Sequence, residues 1–264
     1  MPRAPRPLAA DLTYHVTAQA IPGAKLIVDP RDAELYLALL ARTVFQRGWL
    51  CLAYCLMLDH IHLLVTTPAP DLHDGMRDLH GRFVSRRHKT RGAWGALFAR
   101  RYDAKVVQDQ NHLLEALRYI PLNPVRGGLC LAPAAWPWSS HRAMAGVEPA
   151  PAFLALDQAV RHIAAWDGRA APAAYFDLLR RADRLSDRSR ELLEHEAQAA
   201  PAGRSPIAAP KPEWDAAEFL GRTPTDELVH AAHRLYGHSL EDIGAHLGQH
   251  RTTIARRIAR CDGV

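Results

Sequence analysis

Cysteine is scarce in this chain. The 264 residues hold four, Cys51, Cys55, Cys130 and Cys261, with neither a CxxC pair nor a dense framework. That usage excludes a disulfide-stapled scaffold and points to reduced thiols in a cytoplasmic protein. Cys51 and Cys55 are expected to share a strand face as small buried hydrophobes. Long apolar runs are missing too. None approaches the ~18 residues of a membrane span, and Met1 to Ala10 lacks an apolar signal-peptide core. A third absence is local: no acidic residue falls between Asp78 and Asp103.

That gap is filled by cations: Arg82, Arg86, Arg87, Lys89, Arg91, Arg100 and Arg101, with Lys105 just beyond. The whole chain carries a net charge of +5 and a pI near 9.2. A cationic helix is often only a solvated face. Without acidic partners, this one favours a phosphate-binding surface. Trp94, Phe98 and Tyr102 lie among the charges, as base-stacking platforms or as loop anchors.

At 48% hydrophobic the chain can bury at least one core, and its length allows two domains. Asp11 to Gln19 reads as a first strand. Asp29-Pro30 opens a helix, with Asp29 as N-cap and Pro30 in the first turn, and Gly48 suits its end. Trp49 to Met57 and His60 to Thr67 read as strands of an antiparallel hairpin. Asp71 caps a helix carrying Leu72, Met76, Leu79 and Phe83 inward. Tyr102 to Val107 is a fourth strand, and Asn111 to Ile120 a further helix. The order β-α-β-β-α-β-α contains the ferredoxin-like split pattern. It predicts an α+β domain, an antiparallel sheet with helices on one face.

The third strand carries His60 and His62. Strand side chains alternate faces, so the two imidazoles point the same way and Ile61 and Leu63 the other. Two imidazoles on one face can hold a divalent metal, or they are ordinary histidines of a half-buried strand.

Several separated segments, in order, carry a family resemblance. They are Tyr14-His15-Val16-Thr17, Ala53 to Val65, Leu97-Phe98-Ala99-Arg100-Arg101-Tyr102, Tyr119-Ile120-Pro121-Leu122-Asn123-Pro124-Val125-Arg126-Gly127-Gly128-Leu129, and Trp138-Ser139-Ser140. The sequence resembles the REP-associated tyrosine transposases, within the single-tyrosine transposases of the HUH endonuclease superfamily. The resemblance implies that His60 and His62 are ligands of Mg or Mn and that Asn123 is a third ligand. It implies that Tyr119 is the nucleophile, forming a 5′-phosphotyrosine link to single-stranded DNA at palindromic, hairpin-forming repeats. Arg82, Arg86, Arg87, Lys89, Arg100, Arg101, Lys105 and Arg126 are the candidate DNA contacts of this part.

Three departures stand out. Pro121 and Pro124 are expected to end the helix near Tyr119, loosening the link between Tyr119 and Asn123. Asp59 stands where relatives mostly carry Asn; it would act as a ligand, support the histidines' basicity or cap the strand. Ala18-Gln19-Ala20 replaces the Ser-Arg-Gly type of continuation. His15, His112 and His141 have no comparable context and read as surface or core histidines.

The expected organisation is a transposase-like domain at 1–145, a helical extension at 146–200, a Pro-rich linker at 201–212 and a helix-turn-helix at 213–264. In the last, Ser239 and Asp242 approximate a capping box, and Ile243, Leu247, Ile254 and Ile258 form the core. This unit resembles the DNA-binding domain of the replication initiator DnaA. Arg251, Thr252, Thr253 and Arg256 are its candidate contacts to duplex DNA. The leading function is a metal-dependent nuclease and strand transferase of the nucleoid, with no membrane partner. Competing readings are a non-catalytic repressor derived from a transposase, and a replication or mobilisation nuclease. Monomer and dimer both stay open.

Overall fold

The structure, a computed structural model, describes residues 9–168, 172–182, 185–199 and 238–261, together with Asp226, Val229, Ala232 and His233. The linker expected at 201–212 and most of the first part of the unit expected at 213–264 lie outside the described residues. Among those described, no helix is long and apolar enough to cross a membrane.

Strand β1 (Leu12–Gln19) leads into helix α1 (Pro30–Arg47), β2 (Leu50–Leu56), β3 (His60–Thr67), α2 (Leu72–Arg91), β4 (Asp103–Val106) and α3 (Gln110–Arg126). The sheet order is β2-β3-β1-β4, with every neighbouring pair antiparallel. β1 and β2 therefore run parallel with β3 between them, and β3 and β4 run parallel with β1 between them. These are two split βαβ units, the ferredoxin-like arrangement.

The α1 boundaries follow their local chemistry. Asp29 accepts from the N–H groups of Arg31 and Asp32, and Gly48 closes the helix at φ 62°. Asp71 behaves otherwise. It makes no side-chain cap for α2 and instead takes the Arg47 guanidinium at 3.0 Å and the Trp49 indole N–H at 2.8 Å. A carboxylate offered a cation and a buried indole gains more there than from one exposed amide.

Alternation along the strands builds two cores. Tyr14, Val16 and Ala18 of β1 and Ile61, Leu63 and Val65 of β3 face Leu39, Leu40 and Val44 of α1 and Leu72, Met76, Leu79 and Phe83 of α2. On the other face, Leu52, Ala53 and Cys55 of β2 and Leu64 of β3 meet Leu113, Leu117 and Ile120 of α3. The crossover helices thus share one face, and the added helix takes the other. The register of β2 shifts between Cys51 and Ala53. That irregularity flips the alternation, so Cys51 pairs with Val65 on the first face and Cys55 with His62 on the second. The two cysteines do not share a face.

The second core continues past residue 145 through α4 (His141–Met144), α5 (Leu156–Asp167), α6 (Ala173–Arg180) and α7 (Asp187–Ala199). Ile163, Tyr175, Phe176, Leu179 and Leu193 join it. His141, fully buried, ties these helices together. Its Nδ1 lies 3.0 Å from the Tyr175 hydroxyl and its Nε2 3.0 Å from Glu196 Oε2. Further on, α8 (Leu240–Leu247) begins with the capping box of Ser239 and Asp242, Gly248 turns at φ 62°, and α9 (Arg251–Cys261) follows. Ile243, Ile254 and Ile258 are buried there, as are Val229 and Ala232. Leu247 is partly buried.

His80 of α2 stacks on Phe98 at a centroid distance of 4.1 Å and lies 3.1 Å from the Tyr36 hydroxyl. Burial pushes its imidazole down from 6.5 to about 3. The unfolded chain then binds a proton at His80 that the native state does not. Its contribution to stability is whole above 6.5 and is lost as pH falls toward 3. In thermal melts between pH 6.5 and 4, Tm should fall more steeply for the wild type than for His80→Gln. Parallel profiles would sink this assignment.

Candidate active site

Antiparallel pairing of β1 with β3 sets Thr17 opposite His62 and His15 opposite Leu64. All four residues, with His60, lie on the α3 face. The burial that locks Ile61, Leu63 and Val65 into the first core leaves the intervening histidines no other direction.

The contacts of the two β3 histidines are alike. His60 Nδ1 lies 2.7 Å from Asp59 Oδ1. His62 Nδ1 lies 3.1 Å from His15 Nε2 and 3.2 Å from Thr17 Oγ1. A proton on each Nδ1 would be donated to those partners, leaving each Nε2 its lone pair. The His62 Nε2 is buried with no hydrogen-bond partner. An orphaned buried nitrogen of that kind suits a divalent cation, and the ring centroids of His60 and His62 are 5.0 Å apart. Among the described residues, no group of three or more His, Cys, Asp or Glu is placed to hold a metal. A third protein ligand would have to be of another kind, such as the Asn123 amide.

Burial, then His15 and His60, pushes His62 down to about 3. Burial, then Lys105 and His112, pushes His15 down to about 4. Both imidazoles are therefore neutral at pH 7, the form that coordinates metal.

Tyr119 approaches from α3. Its half-buried ring stands edge-on to His62 at 5.5 Å and 89°, and 5.9 Å from His15. The Arg126 guanidinium carbon lies 5.2 Å from the Tyr119 ring centroid, a cation–π distance.

The helix does not end at Tyr119. It runs on to Arg126 with Pro121 and Pro124 inside it. Each proline removes one N–H and crowds the preceding turn, at ~3 kcal/mol or more. Two effects offset that. Ile120 and Leu122 are fully buried, at ~1.5–3 kcal/mol each. Asn123 Nδ2 donates to the Tyr119 carbonyl at 3.0 Å and reaches the Ile120 carbonyl at 3.5 Å. The Ile120 carbonyl is the acceptor that Pro124, without an N–H, cannot serve. The bonds orient the amide with nitrogen toward the helix, leaving Oδ1 for another partner. Tyr119 and Asn123 are thus carried by one continuous helix.

The predicted cations divide. Lys105 pairs in register with His15 and is exposed beside the site. Arg126 joins the site through Tyr119. Arg100 is ion-paired with Asp103, and Arg101 is exposed. Arg82, Arg86 and Lys89 belong to α2, which packs on the opposite face of the sheet. Arg87 is 8% exposed. It donates to the Lys25 carbonyl at 2.9 Å and faces Asp32 at 3.3 Å. That burial removes it from any surface. In the C-terminal unit, Arg251, Thr252, Thr253 and Arg256 are exposed on α9, and Arg251 pairs with Glu241 at 3.2 Å.

His15 and Thr17 were not singled out from the sequence. Their signal was present: period two places them on one face, in a segment that pairs with the strand of His60 and His62. Only the register brings them to His62.

Asn123→Ala should leave the buried Ile120 carbonyl unserved and cost roughly 1–3 kcal/mol, read as a lowered urea midpoint. An unchanged midpoint would mean that the amide does not support the helix.

Residues 9–123 match the family model described as transposase, IS200 like. A solved structure described as a "REP associates tyrosine transposase bound to a REP hairpin" is similar at 19% identity and a TM-score of 0.48. The similarity covers 55% of this chain and 86% of that one. No curated protein matches. The matched segment, less than half of the chain, holds His15, His60, His62, Tyr119 and Asn123 together and is similar to the IS200-like transposases.

Proposed function

We propose that the chain is a metal-dependent single-stranded DNA endonuclease and strand transferase. It would act at palindromic, hairpin-forming repeats. The observation that carries this reading is the placement of the Tyr119 ring against His62, whose Nε2 is buried and unpartnered. The family match over the same residues supports it.

His60 and His62 would hold Mg or Mn, with Asn123 as a third ligand. When bound, the cation would draw charge from a non-bridging phosphate oxygen of the scissile diester. Asp59, and His15 with Thr17, would fix the two imidazole orientations from behind. The Tyr119 hydroxyl attacks phosphorus and releases its proton to water. The phenolic O–P bond forms, the P–O3′ bond breaks, and the departing 3′ oxygen takes up a proton. The product is a 5′-phosphotyrosine with a free 3′-hydroxyl. The bond energy is conserved, so another 3′-hydroxyl can reverse the step and join strands without a nucleotide cofactor. Arg126 supplies positive charge beside the nucleophile, and Lys105 beside His15. The hairpin substrate follows from the motif resemblance. The exposed Arg251, Thr252, Thr253 and Arg256 of α9 would read duplex DNA and help select the locus.

Labelled single-stranded DNA from repeats flanking the gene should yield a covalent protein–DNA band on a denaturing gel with Mg or Mn. The band should vanish in Tyr119→Phe and with a chelator. Specific binding of those repeats without a band, in both metals, would instead support the repressor reading. Asp59→Ala, by freeing the His60 ring, should weaken Mn binding about 10- to 100-fold in calorimetry; unchanged affinity would remove Asp59 from the metal support.

A further inference from the structure

Three aromatic residues lie in the acid-free stretch between α2 and β4, and the structure sorts them. Tyr102 is 3% exposed, and Phe98 is stacked on His80. Both anchor the loop. Trp94 is 90% exposed. Its π-face is therefore open to solvent, where a planar base can stack on it.

Its position narrows the partner. Gly92 and Gly95, at φ 59° and 97°, flank Trp94 and turn the chain on both sides of it. The loop is tethered at its end: Ile21 N–H donates to the Leu97 carbonyl, and Ala99 N–H to the Gln19 carbonyl. Gln19 is the register partner of His60. Two strand spacings, ~10 Å, therefore separate His60 from the segment that carries this loop. Arg101 is exposed on the same connection, whereas Arg91 and Arg100 beside it are ion-paired with Asp29, Asp32 and Asp103. An apolar π-face with the exposed Arg101 on the same connection, at the His60 end of the sheet, matches a nucleotide: a flat base beside an anionic phosphate.

We propose that Trp94 is a positioning residue that stacks on an unpaired base of the DNA strand entering the site, with Arg101 on an adjoining phosphate. The assignment rests on the nuclease reading above and adds the place where the strand is held before it reaches Tyr119.

The test uses the full chain and two labelled DNA probes, a hairpin with an unpaired flank and the same hairpin without one. Binding is measured by anisotropy over a salt series. Trp94→Ala should weaken binding of the flanked probe about tenfold, the loss of one stacked base. Trp94→Phe should recover most of it, because a π-face remains. The slope of log K against log salt should stay that of the wild type in both, since an indole releases no counterions, whereas Arg101→Ala should lower it by about one. Binding of the flankless hairpin and the Tm should not change in Trp94→Ala. Equal binding of the flanked probe by wild type and Trp94→Ala overturns the assignment and leaves the nuclease reading standing. Failure of the wild type to bind either probe removes both.

Discussion

β3 is buried on both faces, and the remainder of the domain depends on that. Ile61, Leu63 and Val65 pack against the crossover helices, while Leu64 packs against α3. A slip of one residue would exchange the two sets and drive both imidazoles into an apolar core. The desolvation that keeps His62 neutral is thus paired with a register that cannot drift. β1 pairs along the full length of β3, and through it His15 and Thr17 arrive at His62 without any contact of their own specifying it.

α3 solves a different problem. It must present Tyr119 to the sheet and carry Asn123 a turn later, across two prolines. The burial of Ile120 and Leu122 and the Asn123 side-chain bonds hold it together. Asn123 thereby serves the helix through its nitrogen while its oxygen stays available. A residue expected only for ligation has a structural role as well.

Charge is distributed less simply than the linear pattern suggests. The basic half of α2 looks continuous with Arg100 and Arg101 in one dimension. Folding turns Arg87 inward to Asp32, sets Arg82, Arg86 and Lys89 behind the sheet, and leaves Lys105 beside His15 and Arg126 beside Tyr119. Arg91, also in that run, is ion-paired with Asp29 and Asp32 at the start of α1. Two cations of an apparent phosphate-binding stripe, Arg87 and Arg91, are in this way devoted to holding α2 to the start of α1.

The sequence by itself determined the order of elements, the strand carrying His60 and His62, and the caps at Asp29, Gly48 and Ser239, because each depends on spacing or on residues a few positions apart. It also carried the family resemblance, since separated motifs keep their order whatever the fold between them. Tertiary structure decided the rest. The altered register between Cys51 and Ala53, the continuation of α3 past Pro121, the diversion of Asp71 to Trp49, the burial of Arg87 and the arrival of His15 at His62 all involve partners distant in the chain. Local preference is worth about a kilocalorie per residue, and burial or a charged hydrogen bond with a distant partner exceeds it. Where such a partner exists, the short-range rule yields, and which partner arrives is known only once the strands are paired.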